Sequence, residues 1–141
     1  MLSGLEGSVN WVAVIVASVV NMAIGFAWYS ESFIGKQWMK MVGLTKESLE
    51  KAKREMGPKY AIMILASLVM ACVLAIFERI AGVQTIVGGV KVGAFVWLGF
   101  VATIGLNSFV FENKPFQLYA INVGYYLVSL SVMGAILAMM G

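Results

Sequence analysis

The feature that most constrains this chain is where its charges are absent. Its ten Lys and Arg and seven Asp and Glu residues all fall outside four windows: Gly7–Ser30, Tyr60–Phe77, Val92–Phe111 and Pro115–Gly141. Each window is 18 to 27 residues long, and a helix crossing the hydrocarbon of a bilayer needs about 20. An ionic side chain at the centre of such a helix costs roughly 2.5–3.5 kcal/mol on insertion scales, which explains windows this clean. Their length and lack of strict alternation argue against barrel strands, which need only about 9–11 residues. The expected fold class is therefore all-α: an integral membrane four-helix bundle forming a single transmembrane domain over residues 1–141. Its spans are expected near 9–30, 59–78, 90–111 and 116–140, with an amphipathic cytoplasmic insert over 31–58. A fifth charge-free run, Ile80–Val90, is too short to span, contains Gly82, Gly88 and Gly89, and reads as a loop.

Composition agrees. The chain is 61% hydrophobic and 12% charged, against roughly half and a quarter in soluble domains, and a lipid-facing surface accounts for the excess. The segment Met1–Glu6 lacks the basic region of a signal peptide, so the first span is expected to be retained. Lys36, Lys40, Lys46, Lys51, Lys53, Arg54 and Lys59 follow the first span and Lys114 follows the third, while the opposite side carries only Arg79 and Lys91. This asymmetry places the 31–59 connection in the cytoplasm and both termini outside. The net charge of +3 is then explained by topology and anionic headgroups, with no nucleic-acid partner. Cys72 is the only cysteine and there is no histidine, so no metal or cofactor is expected.

Aromatics mark the membrane boundaries. Trp11 and the Trp28-Tyr29 pair bracket the first span, and Ala17, Asn21 and Gly25 recur every four residues on one face, where another helix can approach closely. In the insert, Phe33, Ile34, Trp38, Met41 and Val42 form an apolar stripe opposite Lys36 and Lys40, as in a helix lying at headgroup depth. Lys36, Lys40 and Trp38 are its expected lipid-headgroup contacts. Gly43 breaks that helix, Thr45 is the expected N-cap of a second one over Lys46–Met56, and Gly57-Pro58 ends it. Glu78-Arg79 closes the second span as an exposed pair, worth little. Gly89 and Gly93 have GxxxG spacing, a weak packing signal when alone. Tyr60-Ala-Ile62 recurs as Tyr119-Ala-Ile121, and Val69–Ala75 resembles Val132–Ala138, a weak sign of two duplicated hairpins.

Gly25-Phe-Ala-Trp-Tyr-Ser30, Phe33-Ile-Gly35, Trp38-Met39 and Met56-Gly57 before Tyr60 resemble the signature of the small prokaryotic membrane proteins grouped as domain of unknown function 1761. Ala66–Met70, Trp97–Ala102 and Asn122–Val128 extend the likeness over essentially the whole chain. The resemblance implies a four-span membrane protein and no particular activity. Where Tyr126 stands the family often carries histidine, so no histidine-dependent role is carried over.

The polar residues within the spans are the candidates for function. Asn21, Asn107 and Asn122 need partners in hydrocarbon, and Trp28, Trp97, Tyr125 and Tyr126 can line a cavity with them. Interhelical hydrogen bonding, worth on average about 0.6 kcal/mol per contact, is the plainer reading. Glu31 and Glu112 are candidate boundary carboxylates for protons or cations, or simply helix ends in water. No nucleophile–base pair, phosphate loop or metal cluster is present, and an enzyme is not expected. Two readings follow: a small transporter or channel, homo-oligomeric because four helices enclose little room, or a non-transporting module that binds membrane lipids or a membrane partner protein. A lipid- or quinone-handling role rests on Tyr125-Tyr126 alone.

Overall fold

Asn10 opens the first spanning helix. In the computed structural model, which describes residues 9–30, 35–43, 45–54 and 57–141, its side-chain oxygen accepts from the backbone N–H of Val12 at 3.1 Å and Ala13 at 3.3 Å. These are donors that a helix start otherwise leaves unpaired. Among the described residues six helices follow in order: α1 Trp11–Trp28, α2 Gly35–Val42, α3 Lys46–Arg54, α4 Gly57–Ile80, α5 Ile86–Val110 and α6 Phe116–Met140. There is no strand among the described residues. The helices α1, α4, α5 and α6 are each long and apolar enough to cross a membrane. Asn10 Nδ2 also donates to the Met140 carbonyl at 2.8 Å, so the start of α1 meets the end of α6. We call this the terminal end of the bundle; the opposite, insert end carries α2, α3 and the 112–115 turn.

The most buried of the four spans is α6, which packs against α5, α1 and, more lightly, α4; the main neighbour of α4 is α1. The core is made of Ala13, Val14 and Ala17 from α1, Ala71 and Leu74 from α4, and Leu130, Met133 and Leu137 from α6. Outward positions are apolar too. Ile62, Leu65 and Val69 of α4 and Phe95, Phe100 and Ile104 of α5 are exposed, as they would be against acyl chains.

The third span begins at Ile86, four residues before the expected start, and the loop shrinks to 81–85. The cap is Thr85, whose Oγ1 accepts from Gly88 N–H at 3.0 Å. Gly88 and Gly89 are therefore helical, and the glycines there serve contact rather than flexibility. A Cβ on Gly89 would come within 2.7 Å of Ala138 Cβ, and one on Gly93 would land on the Leu130 carbonyl oxygen. The backbones of α5 and α6 thus touch, as small-residue crossings in membranes allow. The preceding turn is closed at Gly82, at φ +70°. There the N–H groups of Gly82 and Val83 return to the carbonyls of Arg79 and Glu78 at 3.1 and 3.0 Å, a Schellman end.

In the insert, Gly43 at φ +73° separates α2 from α3. Thr45 caps as expected: its Oγ1 accepts from Ser48 N–H at 3.1 Å while Ser48 Oγ accepts from Thr45 N–H at 2.9 Å. Gly57-Pro58 does not end α3 but begins α4, because a first-turn proline gives up an N–H that has no helical acceptor anyway. The apolar stripe assigned to the insert rests largely on Phe33, Ile34 and the Val42 side chain, which lie outside the described residues.

Asn10→Ala removes a cap and the tie to α6 together and is expected to cost about 1–2 kcal/mol. Asn10→Asp keeps the cap alone and should cost visibly less. Thermal unfolding of the two variants in detergent checks the difference.

Candidate functional site

Asn21 lies midway along α1, facing α6 and α4, and is 3% exposed. The face it shares with Ala17 and Gly25 is the one that meets α6: Ala17 is buried and a Cβ on Gly25 would stand 3.1 Å from Tyr125 Oη. Its amide nitrogen donates to Ser67 Oγ of α4 at 2.6 Å. Its oxygen accepts from Tyr125 Oη at 2.8 Å and from Ser129 Oγ, both on α6. Ser67 donates onward to Met22 Sδ at 3.4 Å. One amide thus fastens three helices and is satisfied at both ends, so it leaves no polar atom free for a solute.

The indoles are engaged similarly. Trp28 Nε1 donates to the Ile121 carbonyl at 3.1 Å and Trp97 Nε1 to the Val123 carbonyl at 2.7 Å. Helices α1 and α5 therefore clasp α6 from two sides, at carbonyls two residues apart. Towards the insert end, Tyr29 Oη donates to Asn122 Oδ1 at 2.7 Å. The Tyr29 ring meets Tyr125 edge-on at 5.7 Å and Trp38 at 5.5 Å, and Tyr125 lies 4.7 Å from Tyr126. Trp38, expected at the lipid headgroups, is half-buried against Tyr29 and docks α2 onto the bundle. Lys40 is exposed beside Gln37 and Gln117 in a groove between α2 and α6. Glu31 and the side chain of Lys36 lie outside the described residues.

A second groove of about 540 Å³ runs between α5 and α6 near the insert end, lined by Phe100, Ile104, Asn107, Ser108, Glu112, Asn122 and Tyr126. Four of the sequence candidates therefore converge here: Asn107, Asn122, Tyr126 and Glu112. Asn21, Trp28, Trp97 and Tyr125 do not line it. The groove follows a widened, π-helical stretch of α5, Trp97–Ala102. There Tyr119 Oη donates to the Ala102 carbonyl and Thr103 Oγ1 to the Gly99 carbonyl, both at 2.7 Å. Such π-bulges are frequent at functional sites. Asn107, Glu112 and Tyr126 are exposed, and Asn122 is partly so. Among the described residues no three His, Cys, Asp or Glu side chains gather to hold a metal ion.

A family model described as "Protein of unknown function (DUF1761)" matches residues 12–138. The chain belongs to that family. No curated protein and no solved structure matches it. The DUF1761 region contains all the side chains of the Asn21 network and of the α5–α6 groove, whereas the Asn10–Met140 tie falls just outside its bounds. Membership in DUF1761 agrees with the resemblance in the Trp-Tyr-Ser region and assigns no activity.

Sequence reasoning missed Ser67 and Ser129, the partners of Asn21, and the donor role of Tyr29. It also placed Glu78 wrongly. Expected at the surface beside Arg79, Glu78 is 5% exposed, because its side chain turns in towards Gly89 and Ala138 instead of out to the water.

Proposed function

We propose that this DUF1761 protein is a small transporter or channel that acts as a homo-oligomer and moves a small polar solute along the α5–α6 groove. The observation behind this reading is the groove itself. Asn107, Ser108, Asn122 and Tyr126 line a concave surface on the flank of a membrane-spanning bundle, where hydrocarbon would leave polar groups without partners. A second copy laid against that flank turns an open groove into an enclosed one. The bundle interior cannot serve, because the Asn21 network and the core fill it. The excess of Lys and Arg at the insert end supports a cytoplasmic position for that end and for the mouth of the groove at Glu112, with the basic insert against anionic lipid.

Flux into proteoliposomes, screened over small polar and ionic solutes, tests the reading. Asn107→Leu is expected to reduce flux about tenfold or more, the effect of one lost hydrogen-bonding group at roughly 1–3 kcal/mol. It should leave unfolding unchanged, since the side chain is exposed. No flux of any solute, with the purified protein monomeric, favours the second reading: a non-transporting module that binds lipids or a partner protein. The closed hydrogen bonding of Asn21, Trp28 and Trp97 is the observation on that side.

A further inference from the structure

The last turn of α4 holds a carboxylate that neither the Asn21 network nor the groove uses. Glu78 is 5% exposed, and its Oε1 would lie 2.6 Å from a Cβ placed on Gly89 of α5. Oε1 has no hydrogen-bond partner among the described residues. Glu78 also lines a partly open cavity of about 80 Å³ at the terminal end, together with Asn10, Ala75, Val83 and Ala138, large enough for a few water molecules. Of the described side chains around that cavity, Glu78 and Arg79 are the ionisable ones. Helix α1 presents Asn10 and Ala13 to it, α6 presents Leu137 and Ala138, and Lys91 of α5 lies outside it.

An ionised carboxylate in such a place has one buried oxygen, Oε1, without the hydrogen bonds that offset desolvation, whereas the neutral acid has far less to lose. We propose that Glu78 and this cavity form a proton-binding site. The carboxylate takes a proton from cavity water exchanging with the aqueous phase at the terminal end, becomes a neutral acid, and returns the proton by the same route. Gly89, beside Glu78, and Gly105, beside the groove, are about 24 Å apart along α5 at 1.5 Å per residue. The site therefore stands whether or not the groove carries a solute.

The test is reaction of the full chain in lipid with dicyclohexylcarbodiimide, which adds whole to a protonated carboxyl group and leaves a stable N-acylurea found by peptide mass analysis. Label is expected on Glu78, falling about tenfold per pH unit on the alkaline side of its titration, as the protonated fraction of one acid does. At fixed pH, added sodium should leave the yield unchanged. Glu78 unlabelled at every pH, while the reagent modifies other carboxyls in the same sample, overturns the proposal. So does protection by sodium, which would make a metal cation the ligand. Infrared spectroscopy gives a second readout: a carbonyl stretch of a protonated acid, shifted in D₂O, should be lost in folded Glu78→Gln. Its persistence there also overturns the assignment. If Glu78→Gln does not fold, labelling of the unsubstituted chain decides alone.

Discussion

Gly93→Leu is expected to stop α5 from docking on α6, so that the spans stay helical but the bundle does not hold together in detergent. A Cβ at this position falls on the Leu130 carbonyl oxygen and within 2.7 Å of the Leu130 carbonyl carbon. Both are backbone atoms of the central helix and cannot rotate aside as a side-chain tip can. Overpacking a core usually costs about 1–3 kcal/mol because side chains and backbone share the strain. Here the two backbones must separate, which also breaks the Gly89–Gly134 approach one turn away, and more than about 3 kcal/mol is expected. Against a total stability of roughly 5–15 kcal/mol, that removes a large part of the margin. Gly99 on the same helix supplies the control, since a Cβ there meets nothing within 4 Å; Gly99→Ala should unfold like the unsubstituted protein. Denaturant titration followed by near-ultraviolet circular dichroism measures both. Equal stability for Gly93→Leu and Gly99→Ala would show that the crossing does not hold the bundle.

The same glycines show where the sequence could be read and where it could not. The penalty for an ion in hydrocarbon acts over a whole span, so the four windows were legible from charge alone. A glycine is ambiguous: it permits a turn and it permits contact, and only the facing residue decides. For Gly88 and Gly89 the sequence favoured a turn, whereas the deciding residues, Thr85 as cap and Gly134 on α6, take effect only once two helices are in register. Asn21 was recognisable as a buried amide needing partners, but Ser67, Tyr125 and Ser129 sit on two other helices. Nothing local marks those serines apart from others in the spans. Trp28 and Trp97 read as boundary aromatics or cavity walls because helix carbonyls are ordinarily already taken. That α6 accepts an indole at Ile121 and at Val123 is a tertiary fact. Glu78 stood at the edge of a clean window next to an arginine, the usual look of a helix end in water. Its inward turn depends on the small residues Gly89 and Ala138 opposite.

Asn21→Leu is expected to destabilise the protein by about 2–4 kcal/mol. Single interhelical hydrogen bonds in membranes average about 0.6 kcal/mol and reach about 1.7. Leucine, similar in size to asparagine, removes three of them at once and leaves the hydroxyls of Ser129 and Ser67 facing an apolar side chain, while Tyr125 Oη keeps the Asn21 backbone carbonyl at 3.2 Å. Buried groups left in that state add a desolvation cost beyond the lost bond. The network form of this loss has a signature that a simple packing defect lacks. Ser129→Ala should be mildly destabilising in the unsubstituted chain and neutral or stabilising in the Asn21→Leu background, because its partner is already gone; residues in one hydrogen-bond network do not add. Asn122→Leu loses the single bond from Tyr29 at a half-buried site and should cost less than half as much. Steric trapping or thermal unfolding in detergent measures the stabilities, and flux per folded protein is measured on the same preparations. If the groove rather than the bundle interior carries the solute, Asn21→Leu lowers stability and leaves normalised flux unchanged. The reverse pattern, unaltered unfolding with flux abolished, would return the pathway to the interior beside Asn21.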